Sequence, residues 1–143
     1  ILPGEVAVMA TNSSNRIAAL GELMTTALTK RGGRGAVTDG LIRDVRRIRL
    51  LRAPVFSRGF RPVNSQGRAG VAYHQVPVVV GGVRIEPGDL VMGDVDGVVA
   101  VPRAAERDVL EMAWKKCTSE NSTRDELEQG RLLREVYDKY GAL

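Results

Sequence analysis

Gly35-Ala36-Val37-Thr38-Asp39-Gly40-Leu41-Ile42-Arg43-Asp44 decides the fold. Its first four residues form a short apolar run of the length of a buried strand, and Asp39-Gly40 closes it with turn residues. Arg43-Asp44 therefore lies close to a strand end, where ligands gather in α/β sheets. Upstream, Pro3-Gly4 turns into a strand over Glu5–Ala10, and Thr11 to Asn15 is polar. Leu20, Leu23, Met24, Ala27 and Leu28 then recur at helical spacing until Arg31-Gly32-Gly33, with cations in the last turn as the helix dipole prefers. Downstream, a short helical turn is expected from Asp44 to Leu51 and a strand at Pro54-Val55-Phe56.

Residues 61–75 read as a loop. Short apolar runs follow at Val76–Val80, Val83–Ile85, Leu90–Met92 and Val98–Val101, broken by Gly81-Gly82, Pro87-Gly88-Asp89 and Asp94-Val95-Asp96-Gly97. Pro77 places the first of these at an edge or at a strand start. Pro102 opens a helix with Val109, Leu110, Ala113 and Trp114 on its apolar face. A second helix is expected from Thr123, where Thr123 and Glu126 have capping-box spacing, with a stripe of Leu127, Leu132, Leu133, Val136 and Tyr140. Strands and helices mixed in this order predict a three-layer α/β domain.

At 143 residues and 43% hydrophobic, the chain suffices for one domain with a real core. No apolar run approaches the ~20 residues that span a bilayer, so no membrane association is expected. No secretory leader is read at the start, which opens in a strand-like stretch. The single Cys117 excludes an internal disulfide and fits a cytoplasmic location. Net charge is +4, concentrated between Lys30 and Arg68, where eleven basic residues face only Asp39 and Asp44. That field suits anionic small molecules, RNA or an acidic partner surface. Aromatic residues are only 4%, without aromatic–basic interleaving, so a stacking platform for nucleic acid is not expected.

The chemistry lies in Gly21-Glu22-Leu23-Met24 and, after 18 intervening residues, Arg43-Asp44. A helix start at Gly21 exposes N–H groups suited to a carboxylate, and glycine lets a ligand approach the backbone. Arg43 offers a planar fork that pairs bidentately with a carboxylate, and Asp44 a hard oxygen for a divalent cation.

These residues resemble the RraA-like family of 4-hydroxy-4-methyl-2-oxoglutarate aldolases and regulators of ribonuclease E. The resemblance runs through Gly21–Met24, Val37–Asp44, Pro54–Phe56, Gly82-Val83, Pro87–Asp89 and Gly93–Val98. It continues to Glu120, Thr123-Arg124, Gly130 and Tyr140-Gly141. It implies a three-layer swivelling β/β/α domain over residues 1–143, with C-terminal helices at about 103–143 and the family's N-terminal segment missing from this chain. It further implies a homotrimer or homohexamer with sites between subunits. The implied activity is a magnesium- or manganese-dependent aldolase that releases pyruvate from a 4-hydroxy-2-oxo acid, with oxaloacetate decarboxylation as a side activity. Main-chain N–H groups around Glu22, Leu23 and Met24, next to Gly21, would hold the pyruvate carboxylate. Arg43 would bind the pyruvate oxygens, Glu22 would position a water, and Asp44 would hold the metal, with Glu120 of a neighbouring subunit completing its surroundings. Strongly active members carry an acid three positions after that aspartate, where this chain has Arg47. The alternative is a non-catalytic regulator that binds ribonuclease E or RNA through the basic middle segment.

Other residues have plainer expected roles. Asp94 and Asp96 read as turn formers beside Gly97. His74, the only histidine, reads as exposed or loosely packed, and Cys117 as a buried or half-buried thiol. Met9, Met24, Met92 and Met112 read as core filler, and Arg46, Arg47, Arg49 and Arg52 as a solvated helix face.

Overall fold

The computed structural model describes residues 1–141. The chain divides into two compact units, Ile1–Pro102 and the segment from Arg103 onward. That border falls where the C-terminal helices were expected to begin. The last two residues of their expected span, 142–143, lie outside the described residues.

In the first unit a strand–strand–helix module occurs twice and then begins again. β1 (Val6–Met9) and β2 (Ala18–Leu20) lead into α1 (Glu22–Lys30). β3 (Gly35–Thr38) and β4 (Leu41–Ile42) lead into α2 (Val45–Leu50), and β5 (Val55–Phe56) and β6 (Gly59–Phe60) follow. The first strands of each module form the parallel sheet β1-β3-β5, and the second strands form the parallel sheet β2-β4-β6. The repetition is in the backbone, and no sequence repeat announces it. The second-sheet strands are two or three residues long, too short for a periodic signal, and none was expected from the sequence.

The strand read at Gly35–Thr38 is buried along its whole length, as expected of a parallel strand covered on both faces. Ala36 packs with Leu20, Ile42 and Ile48, joined by Leu28 of α1 and Val45 of α2. Val37, on the opposite face, packs with Val80 and Ile85 and with Val78, Val91 and Val98. Those partners come from two antiparallel hairpins, β7 (Val78–Val80) with β8 (Val83–Ile85), and β9 (Leu90–Gly93) with β10 (Val98–Val101). Helices on one face of the first sheet and hairpins on the other give the expected three-layer α/β arrangement. Gly81 and Gly82 both have positive φ, +59° and +82°, as a two-residue hairpin turn with the twist of its strands demands. Asp94 and Asp96 are turn formers, the Asp96 N–H donating to Asp94 Oδ1 at 2.8 Å.

In the second unit α3 runs unbroken over Glu106–Glu128, after a 3-10 turn at Arg103–Ala105, and α4 covers Leu133–Tyr140. The expected helix start at Thr123 is therefore incorrect. Thr123 is buried inside α3, and its hydroxyl donates to the Ser119 carbonyl one turn back at 3.3 Å. The break comes at Gly130, φ +84°, where the Arg131 N–H reaches Glu126 O and the Gly130 N–H reaches Leu127 O. This is a glycine-terminated helix end, which outweighs the local Thr–Glu spacing. Glu126 then ties α4 to α3, accepting from Lys139 and from the Tyr140 hydroxyl. These donors hold the Glu126 carboxyl below its ordinary range.

Three of the four methionines expected in the core are exposed, Met24, Met92 and Met112, and only Met9 packs against it. Cys117 is exposed as well. Met24 and Met92 lie on open faces of α1 and β9, and α3 is exposed all round over residues 107–118, so a hydrophobic residue type did not ensure burial. His74 is exposed, as expected.

The polar stretch after β1 is clasped from two sides. Asp39 accepts from the Thr11 N–H at 2.6 Å, the Thr11 hydroxyl at 2.9 Å and the Ser13 N–H at 2.8 Å. Arg58 donates to Ser13 O at 2.8 Å and Asn15 Oδ1 at 2.6 Å, and Arg61 to Asn15 O. Asn12 and Ser13 take left-handed backbone, φ +53° and +54°, which the aspartate's bonds offset. A Cβ on Gly40 would stand 2.6 Å from Thr11 Oγ1, so only glycine lets the loop close. Burial pushes the Asp39 carboxyl up, but bonds from the Thr11 and Ser13 N–H groups, the Thr11 hydroxyl and its own N–H outweigh this and leave it below 3.8. A depressed carboxylate stabilises the fold above its unfolded value, and that contribution is lost as pH falls through the folded value. Asp39→Asn should therefore cost about 2 kcal/mol at neutral pH. It should also flatten the acid loss of stability below 3.8. Urea midpoints from about pH 2.5 to about pH 7 check both, and parallel curves for the two proteins would refute the assignment.

Candidate active site

Leu20 of β2 pairs with Ile42 of β4, and Ile42 pairs with Phe60 of β6. Gly21 and Arg43 are the next residues along two neighbouring parallel strands, about 4.8 Å apart. The Arg43 N–H donates to Leu20 O at 3.0 Å and fixes that relation. Sequence reasoning placed the two segments near strand or helix ends, and the second sheet brings those ends side by side.

Gly21 is the N-cap of α1, with φ −137° and ψ −176°, and its carbonyl accepts from both the Thr25 N–H and hydroxyl. This backbone is ordinary for any residue, so the need for glycine is steric. A Cβ there would lie 2.8 Å from Asp44 Oδ2, 3.0 Å from Arg43 Nε and 3.1 Å from Arg43 Cγ. The missing side chain therefore admits the Arg43-Asp44 pair. Asp44 has left-handed backbone, φ +61° and ψ +30°, an uncommon state for a non-glycine residue and one found at functional sites.

Asp44 Oδ2 accepts from the Glu22 N–H at 3.2 Å and lies 3.4 Å from Arg43 Nη1, while Oδ1 takes neither contact. Arg43 and Asp44 are each a little over a third exposed, so their pairing contributes little to stability and leaves both open to a ligand. Glu22 Oε1 accepts from the Thr26 hydroxyl at 3.1 Å. The Glu22 N–H is thus engaged by Asp44. In the first turn of a helix the Leu23 and Met24 N–H groups have no intrahelical acceptor. The side chains of Leu23 and Met24 are exposed rather than packed as their helical spacing suggested.

Among the described residues no group of three or more His, Cys, Asp or Glu side chains gathers as a metal-binding cluster. Asp44 instead offers one hard carboxylate beside the main-chain N–H groups at the start of α1. This donor set fits magnesium, which takes one or two carboxylates and keeps several waters. Glu120 lies on α3 in the second unit, 3.5 Å from Lys116 one turn away. Arg46, Arg47, Arg49 and Arg52 are exposed, as expected of a solvated face. A cavity of about 510 Å³ lined by Val37, Ile42, Ile48, Phe56 and Phe60 includes neither Gly21–Met24 nor Arg43-Asp44. Thr26 and Asp39 were not singled out from sequence, because a lone threonine or a turn aspartate carries no distinguishing local signal.

Residues 1–100 match the RraA-like family, described as Aldolase/RraA, and Glu120 lies outside that match. A Halalkalibacterium halodurans protein provisionally named 4-hydroxy-4-methyl-2-oxoglutarate aldolase is 38% identical over 114 residues, which cover 80% of this chain and 54% of that protein. The chain spans about half the length of the curated relatives it matches first. The crystal structure of an uncharacterized Pseudomonas syringae protein superposes with TM-score 0.92 at 29% identity, over 95% of this chain and 68% of that one. That of Streptomyces coelicolor RraAS2, described as an unusual member of the RNase ES inhibitor RraA family, has TM-score 0.79 and 35% identity, over 87% and 63%.

Gly21→Ala should push Asp44 and Arg43 out of place while changing unfolding free energy by less than about 1 kcal/mol, since the clash is with part-exposed side chains rather than backbone. In a crystal structure of the variant the Glu22 N to Asp44 Oδ2 distance should exceed about 3.5 Å. Retention of the contact would refute the steric role of this glycine.

Proposed function

Because the chain belongs to the RraA-like family, we propose that it is a divalent-metal-dependent pyruvate aldolase acting on a 4-hydroxy-2-oxo acid of the 4-hydroxy-4-methyl-2-oxoglutarate type. The observation that carries this is the convergence of Glu22, Arg43 and Asp44 at adjacent parallel strand ends. Names borne by the relatives support an aldolase, and the substrate and metal dependence are this reading's own.

The free N–H groups of Leu23 and Met24 bind the substrate's C1 carboxylate, favoured by the helix dipole. Arg43 pairs with the carboxylate and keto oxygens and keeps its charge throughout. Cleavage breaks the C3–C4 bond as the C4 hydroxyl passes its proton to the water that Glu22 positions. It leaves a carbonyl product and the electron pair on C3, delocalised as the enolate of pyruvate. A magnesium or manganese ion held by Asp44, with Glu120 of the partner subunit in a trimer or hexamer, would supply Lewis-acid stabilisation of that negative charge. Glu22 positions a water that protonates C3 to give pyruvate. Loss of carbon dioxide from oxaloacetate leaves the same enolate, so decarboxylation is a side activity. Arg47 places a cation on α2, three residues after Asp44, and bears on which oxo acid is preferred.

A second reading, a regulator that contacts ribonuclease E or RNA, is favoured by the exposed Arg46, Arg47, Arg49 and Arg52 and by the likeness to RraAS2. Pyruvate release coupled to lactate dehydrogenase separates the two, with oxaloacetate and 4-hydroxy-4-methyl-2-oxoglutarate as substrates. Turnover should need magnesium and stop with EDTA. Arg43→Ala and Asp44→Ala should each lower it at least about a hundredfold with the circular dichroism unchanged. No pyruvate from either substrate, with salt-sensitive binding to ribonuclease E or RNA, would favour the regulator.

A further inference from the structure

We propose that Thr26 is a positioning residue for Glu22, fixing one carboxylate oxygen so that the other presents a single water to the reacting carbon. The proposal rests on the aldolase reading above. In α-helices a threonine hydroxyl ordinarily bonds a main-chain carbonyl one turn back. Thr25, Thr29, Thr118 and Thr123 all do so, onto Gly21, Thr25, Trp114 and Ser119. Thr26 departs from them, and its hydroxyl donates to the Glu22 side chain at Oε1, 3.1 Å away.

The two adjacent threonines of α1 thus divide the work. Thr25 is 1% exposed and locks the helix start through Gly21 O. Thr26, about 100° further round the helix, is half-buried and turned to the acid of the site. Glu22 is consequently held at both ends, its main-chain N–H on Asp44 Oδ2 at 3.2 Å and its carboxylate on Thr26. A free glutamate samples many rotamers, most of which would carry a water away from the substrate. A hydroxyl that donates to Oε1 selects among them without itself touching the substrate.

The test uses the full chain with magnesium, following exchange of the pyruvate methyl protons with deuterium oxide together with aldol turnover. Thr26→Val keeps the shape and removes only the donor, and Thr26→Ser keeps the donor. Thr26→Val should slow exchange and kcat about tenfold or more while KM stays within about twofold. Thr26→Ser should return both rates to within about threefold of the parent. A crystal structure of Thr26→Val should have the Glu22 carboxylate displaced from its present place. Exchange by the parent protein with Thr26→Val equally fast, or a rise in KM alone, would overturn the role of Thr26. So would failure of Thr26→Ser to restore the rate. Absence of exchange in the parent would instead sink the aldolase reading, and this role with it.

Discussion

The close approach of Arg43 and Asp44 to Gly21 is the contact on which the candidate site depends. At the end of β2 the volume a side chain would fill is taken by the guanidinium stem of Arg43 and the carboxylate of Asp44. That approach lets Asp44 reach the Glu22 N–H. It ties the start of α1 to the start of α2, two elements separated along the chain by β3 and β4. Positioning chemistry on main-chain geometry in this way limits the freedom of long side chains, and it leaves both charges exposed enough to meet a ligand.

What keeps those strand ends in line is the first sheet and the loop that leaves it. Ala36 and Val37 send adjacent side chains into two separate clusters, so β3 anchors both layers of the unit at once. Directly after it, Asp39 holds the Thr11–Ser13 loop, and Gly40 leaves room for Thr11. The chain therefore passes from the first sheet to the second at a fixed point. β2 and β4 consequently pair at their C-terminal ends, Leu20 with Ile42, after a register shift between Ala18 and Leu20. Strands of two and three residues have little stability of their own, and their pairing is imposed by this framework.

The second unit follows a different logic. Its two helices are joined by the glycine-terminated end at Gly130 and by Glu126, which gathers Lys139 and Tyr140. Trp114 and Met112 on α3 are exposed, so an apolar face legible as helical period is not buried by α4. Periodicity marks a face that can be buried, and it does not specify what covers it.

The sequence alone made legible the α/β class, the first-sheet strands and the hairpins of the first unit, the start of α1 and Gly21–Met24 with Arg43-Asp44 as candidate site. Each of these leaves a local mark: an apolar run, a turn pair, or a helix-start pattern beside charged residues. It misplaced the break between the last two helices, because Thr123 and Glu126 have capping spacing whichever way the chain runs around them. Gly130 ends the helix through main-chain bonds that only the folded turn makes. The second parallel sheet, the left-handed backbone of Asp44, the clasp on Asp39 and the turn of Thr26 toward Glu22 came only with folding. These features join residues four to 28 positions apart through single hydrogen bonds or two-residue ladders. Such contacts have no period and no composition, and they exist only once packing has brought the partners together.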